Sequence, residues 1–302
     1  MLFLVIILII IICLGIVIYF SRQIVYPKIL THKKVFDYEM ERERIPFDLF
    51  EGLIEEDISI NSYLGYTLKG KLYLQDNPNK FVLMCHGITS NYEGMKKYSI
   101  PLIKKGYSIM FYDHRNHGYS DRNYTTLGFF EKKDAKCCVD YLMKRFNEPL
   151  VGVLGESMGA ATALQLVTID NRLSFCIEDC GYSNAYNLMY HRALEDHNKI
   201  LALFTKPTDI YLKFFYKFSL KDVSVVHTIN KATCPILFIH GEEDSYVPFY
   251  MCKELYESYE GQKMMYTVKG ASHAVAYPTD PETYSNEVNK FLDLYVKESK
   301  VN

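Results

Sequence analysis

The chain of 302 residues predicts an α/β fold built on a mainly parallel sheet, and three observations lead there. Six short runs, "KFVLMCH", "YSIMFYD", "LVGVLG", "LSFCIED", "CPILFIH" and "KMMYTV", are almost wholly apolar and have the length of strands buried on both faces. Helical patterns separate most of them, over 92–105, 131–146, 158–169, 249–259 and 281–297. One run passes straight into a helix of small residues through "GESMGA", which leaves a lone hydroxyl at the carboxyl end of a strand. That is where open α/β sheets hold their ligands.

The elements follow in chain order. "MLFLVIILIIIICLGIVIYF" carries no charged side chain, and about 20 helical residues span the ~30 Å of a bilayer core. It lacks a basic n-region and an A-x-A-like cleavage site, so residues 1–20 are expected to be an uncleaved transmembrane anchor, with an atypical cleaved signal as the alternative. Arg22, Lys28, Lys33 and Lys34 follow without an acidic residue among them, and a cationic flank favours a cytoplasmic body. Eight cysteines, mostly inside apolar runs, read as core thiols, although export is not excluded. Residues 21–50 are expected to be a juxtamembrane linker, in which "KKVFDYEMERER" is either a short helix over the body or a solvated tether.

The body is expected to occupy 51–302. It begins with "EEDISIN" and "GYTLKGKLYLQ", whose alternation suits half-exposed antiparallel strands. From 184 to 230 the strand rhythm lapses into a helical, aromatic excursion that is expected to cap one end of the sheet. A net charge of −2 gives no long-range attraction for nucleic acid. The sequence fixes no oligomeric state.

The serine carries the chemistry. In "GESMG" Ser157 sits on a sharp strand-to-helix turn, Gly155 and Gly159 let neighbouring backbone approach, and the Met158 N–H joins the helix N-terminus facing the hydroxyl. A serine hydroxyl needs a base, and the base needs an orienting acid. His273 in "ASHAVAYP" and Asp244 in "IHGEEDSYVP" each follow a strand run, so both fall on the same sheet edge in the order Ser, Asp, His. Glu242, Glu243 and Asp179 are alternative acids. "MCHGITSNYEGM" offers Ile88 N–H as a second oxyanion donor, with His86 bracing that loop. His114 and His117 have a spacing that suggests a metal, but without HExxH or paired CxxC no metal site is expected, nor any cofactor.

Over about Ile54 to Val296 the sequence resembles the α/β-hydrolase superfamily, through "HGITSN", "DHRNHGYS", "GESMGA", "IHGEEDSYVP" and "ASHAVAYP". It is most similar to bacterial membrane-anchored hydrolases of the serine-aminopeptidase-like and bile-acid-acyltransferase-like groups. The resemblance implies an eight-stranded sheet with a cap after the sixth strand. It also implies Ser157 as nucleophile, Asp244 and His273 as partners, and Ile88 with Met158 as oxyanion donors. The expected activity is hydrolysis of small to medium or lipid-like acyl esters through an acyl-enzyme. Peptidase, thioesterase or acyltransferase chemistry on the same fold stays open, as does a non-catalytic binding or scaffold role. Tyr186, Met189, Tyr190, Phe204, Tyr211, Phe214, Phe215 and Phe218 make the cap rich in apolar side chains, which serve either the substrate or the cap's own core.

Overall fold

A computed structural model describes residues 1–296 except 43 and 47. The expected end of the last helix at Lys297 and the tail 297–302 lie outside the described residues.

Eight strands form one sheet in the order β1-β2-β4-β3-β5-β6-β7-β8. They are β1 (Ile54–Asn61), β2 (Thr67–Leu74), β3 (Lys80–Cys85), β4 (Ser108–Tyr112), β5 (Leu150–Glu156), β6 (Leu173–Asp179), β7 (Ile236–Gly241) and β8 (Lys263–Val268). The two alternating runs pair antiparallel with each other, and β2 pairs antiparallel with β4. Every later pairing is parallel. Five of the six apolar runs take inner positions with helices over both faces, and Phe81, Leu83, Met110, Val153 and Ile177 are all fully buried. The sixth, "KMMYTV", expected to be buried on both faces, is instead the edge strand β8 and is half-buried, because it has a neighbour on one side only.

Eleven α-helices complete the described residues: α1 (Leu2–Val25), α2 (His32–Met40), α3 (Ile100–Lys104), α4 (Glu131–Arg145), α5 (Met158–Val167), α6 (Ala185–Asp196), α7 (Lys199–Ala202), α8 (Thr205–Tyr216), α9 (Phe249–Ser258), α10 (Ala276–Thr279) and α11 (Pro281–Tyr295). Helices α6 to α8 lie between β6 and β7.

Two further expectations are corrected. The helix over 92–105 is a 3-10 stretch, Tyr92–Ser99, followed by the separate α3. Pro101 has no N–H to continue the earlier ladder and instead stands in the first turn of α3. Within residues 21–50 the structure gives the short helix over the body and not the solvated tether, and the expected anchor helix does not stop at residue 20. Helix α1 runs on to Val25 because Ser21, Ile24 and Val25 find a buried surface on the body. After it, α2 is capped by the Thr31 hydroxyl, which accepts the Lys34 N–H. Its His32 is buried against Asp113, at the end of β4.

Candidate active site

Ser157 follows β5, the fifth strand in sheet order and thus central, and opens α5. Its φ of 56° and ψ of −115° make the turn strained, and the Asp179 carbonyl fixes it by accepting the Ser157 N–H at 2.8 Å. The flanking glycines answer to backbone packing. A Cβ on Gly159 would lie 1.9 Å from the Cys85 carbonyl oxygen, and one on Gly155 would lie 2.2 Å from that of Gly159. Any side chain there would push α5 off β3 and β5.

The loops after β7 and β8 bring two residues to the serine. His273 Nε2 is 3.0 Å from Ser157 Oγ, and His273 Nδ1 is 2.7 Å from Asp244 Oδ2. The Tyr246 ring lies 4.8 Å from the imidazole, centre to centre. Asp244 Oδ1 accepts the N–H groups of Tyr246 and Val247 at 2.9 and 2.8 Å. Burial alone would raise the Asp244 carboxyl pKa. The neighbouring His240 imidazole and the hydrogen bond from His273, with those from its own loop, outweigh burial and hold it at about 2. An acid held ionised beside Nδ1 fixes the ring so that Nε2 is free to accept a proton from the hydroxyl.

The other sequence candidates separate cleanly. Asp179 meets Ser157 through its backbone; its carboxyl is fully buried and pushed up to about 7 by burial, with Glu156 nearby adding to the shift. Glu242 and Glu243 are exposed, and Glu242 accepts the Thr267 hydroxyl. His86 braces its loop: Nδ1 pairs with the Gly87 carbonyl at 2.8 Å and Nε2 accepts the His114 N–H at 2.9 Å. The rings of His114 and His117 pack against it, all three buried. Burial, reinforced by the neighbouring rings, lowers the His86 pKa and holds that of His114 at about 3. Ile88 and Met158 border the same cavity as Ser157.

Three features were missed by sequence reasoning. His240, inside the run "CPILFIH", reads as strand yet its Nε2 lies 3.4 Å from Asp244 Oδ2 and 2.8 Å from the Val247 carbonyl. Glu156 accepts the Tyr98 hydroxyl at 2.8 Å and Lys97 Nζ at 3.4 Å, while Lys97 also reaches Glu39 of α2 at 3.1 Å. No local pattern announces so distant a chain of contacts. The third is the cavity wall. The space beside Ser157 measures about 480 Å³ and is bounded by cap residues such as Met189 and Arg192, and also by Tyr19, Phe20, Gln23 and Ile24 of α1.

The comparisons with known proteins agree with this architecture. A family model described as "Serine aminopeptidase, S33" matches residues 76–176. A Bacillus subtilis relative, "Uncharacterized protein YqkD", is 32% identical over 287 residues, covering 94% of this chain and 93% of its own length. A Pyrococcus furiosus esterase superposes with a TM-score of 0.67 at 24% identity, over 81% of this chain and 92% of that one. The chain belongs to the α/β-hydrolase superfamily. A human protein named "Serine hydrolase BPHL" is 28% identical over 185 residues, 54% of this α/β-hydrolase and 62% of the human chain. The acylaminoacyl peptidase of Pyrococcus horikoshii shares the fold at a TM-score of 0.62 and 13% identity, over 83% of this chain and 43% of that one.

Proposed function

We propose that this α/β-hydrolase is a membrane-anchored serine hydrolase that cleaves carboxylic esters with small to medium or lipid-like acyl groups. The observation that carries the reading is the hydrogen-bonded line Ser157–His273–Asp244 at the carboxyl edge of the sheet. Ser157 Oγ attacks the ester carbonyl as His273 Nε2 takes its proton, and Asp244 orients the ring and offsets its positive charge. The tetrahedral oxyanion is received by the N–H groups of Ile88 and Met158, each worth about 3 kcal/mol. His273 returns the proton to the leaving alcohol, and water then releases the acid from the acyl-enzyme.

Two further features support the ester and membrane parts. Met189, Leu188 and Leu220 give the cavity an apolar side, and α1 is the described helix long and apolar enough to cross a membrane. The buried Val17, Ser21, Ile24 and Val25 favour a retained helix over a cleaved signal, and the cationic stretch after it favours a cytoplasmic body.

The test is labelling by a fluorophosphonate probe, expected in the native protein and lost in Ser157→Ala, followed by a series of p-nitrophenyl acyl esters. Cleavage of aminoacyl amides with no ester hydrolysis at any chain length would transfer the reading to a peptidase. Absence of labelling would leave a non-catalytic binding protein.

A further inference from the structure

The last turns of α1 are docked as well as apolar. The buried positions Val17, Ser21, Ile24 and Val25 recur every three or four residues, one stripe of the helix. The Val25 carbonyl accepts the Thr125 N–H at 2.9 Å, and five residues on, Leu30 N–H reaches the carbonyl of Thr89, the neighbour of Ile88, at 2.8 Å. The helix that would hold the membrane is therefore fixed against the loop beside the serine, and its Phe20 and Gln23 face the cavity.

Lengths decide the level at which that cavity sits. From Leu2 to Phe20 the uncharged stretch rises about 29 Å, which a hydrocarbon core of about 30 Å consumes entirely. No spare helix remains to lift the body clear of the lipid. Phe20 and Gln23 then lie at the boundary of the bilayer, among Tyr19, Arg22 and Tyr26, residue types that favour that layer. The cap continues the same surface. Tyr26 meets Tyr216 of α8 at 6.2 Å between ring centres, Tyr216 meets Tyr211, and Tyr211 stacks on Phe215 at 4.3 Å. Phe214 and Phe215 are 69% and 67% exposed, as are Ile200 and Leu203 of the preceding segment at 72% and 67%. Lys199, Lys206 and Lys213 are exposed along these two helices, and Lys217 just past the end of α8. Apolar side chains interleaved with lysines beside a membrane helix are the pattern of an interfacial helix.

We infer that α1 and the cap together form a lipid-level mouth, and that the site takes single-chain lipid esters directly from the bilayer. At about 480 Å³ the cavity falls within the ~300–1,000 Å³ of pockets that enclose one small ligand, which suits one acyl chain better than two. The chain runs along the apolar α1 and cap residues, and the polar head meets Lys28 and the Arg192–Asp196 ion pair at the cavity's charged side. This inference rests on the serine-hydrolase reading; the products are one fatty acid and one alcohol, with water supplying the oxygen and proton.

The experiment uses the full chain reconstituted in phosphatidylcholine–phosphatidylglycerol vesicles. It measures the ratio of turnover of vesicle-borne 1-monooleoylglycerol to that of water-soluble p-nitrophenyl acetate. Gln23→Trp, which fills the cavity from α1, and Phe214→Ser with Phe215→Ser, which strips the cap tip, should each lower the ratio by about tenfold. The double variant changes only exposed side chains and so keeps the test decisive if Gln23→Trp does not fold. An unaltered ratio in folded variants, or native enzyme that ignores the vesicle-borne ester while Ser157 is labelled, overturns this inference alone. Failure of the probe to label native Ser157 overturns the hydrolase reading and this inference with it.

Discussion

His273 with Asp244 and His32 with Asp113 are chemically the same pair, placed on either side of Ser157. Asp113 follows β4, two strands from β5 in one direction, and Asp244 follows β7, two strands away in the other. Their contacts are nearly equal, 2.8 Å for His32 Nε2 to Asp113 and 2.7 Å for His273 Nδ1 to Asp244. The difference lies in the second nitrogen. That of His273 faces the Ser157 hydroxyl at 3.0 Å, whereas that of His32 lies 3.7 Å from the Glu93 carboxylate. Tyr119 stacks on the His32 ring at 4.0 Å and closes it from water. Burial alone would lower the His32 pKa, but the hydrogen bonds and charges of Asp113 and Glu93 hold it at about 9, so the ring is a fixed cation at neutral pH. Asp113 also accepts the N–H groups of Tyr92 and Tyr119, and its pKa is lowered. In the proposed reaction one pair moves a proton; the other fastens α2 to the sheet. What surrounds the second nitrogen decides the role.

The comparison breaks most visibly at the acid. Asp244→Asn keeps the shape but forces the wrong imidazole tautomer, and kcat should fall about 10⁴-fold, a loss far larger than the stability that the depressed carboxyl pKa contributes. Asp113→Asn should do the reverse, lowering stability and leaving kcat of the folded fraction within about threefold. Steady-state kinetics and thermal melts on both variants decide it; a matched loss of kcat from both would erase the distinction.

Next in size is the pH dependence of the clamp. A histidine whose folded pKa exceeds its unfolded value stabilises fully below the unfolded pKa, about 6.5, and loses that contribution as pH rises through the folded one, about 9. The contribution is on the order of 3 kcal/mol. Native protein should therefore be more stable than His32→Gln at pH 6, and the gap should close by about pH 10. Denaturant melts across that range measure it; a gap independent of pH would mean that His32 acts by packing alone.

Ser157, Asp244 and His273 were legible because each ends a short apolar run or follows one, and the fold turns that local position into a shared edge. The sheet was legible for the same reason. Other contacts depend on which surfaces meet, and one sequence position does not contain that. Every residue of "VIILIIIICLGIVIYF" is apolar or glycine, so nothing marked Val17 as the side facing the body. Asp179 ends an apolar strand and Asp244 follows one; only the packing of β6 against β5 shows that the former gives its carbonyl to the serine turn. The cap rings also divide by packing, since Phe218 is buried while Phe214 and Phe215 stand in the open.

The smallest effect expected sharpens how Asp244 is held. His240 is fully buried, and besides its bond to the Val247 carbonyl it contributes to the depressed Asp244 pKa. A carboxyl whose folded pKa is below its unfolded value stabilises above the unfolded one and loses that contribution as pH falls through the folded one, here about 2. His240→Gln removes the imidazole that lies 3.4 Å behind the carboxylate but leaves His273 and the N–H groups of Tyr246 and Val247. The Asp244 carboxyl should then titrate at higher pH, moving the acid-unfolding midpoint upward, and kcat should fall about two- to tenfold. The variant touches neither His32 nor Asp113, so it should leave the alkaline limb of stability set by His32 in place. An acid midpoint and kcat both equal to those of native protein would show that the Tyr246 and Val247 N–H groups fix Asp244 without help from behind.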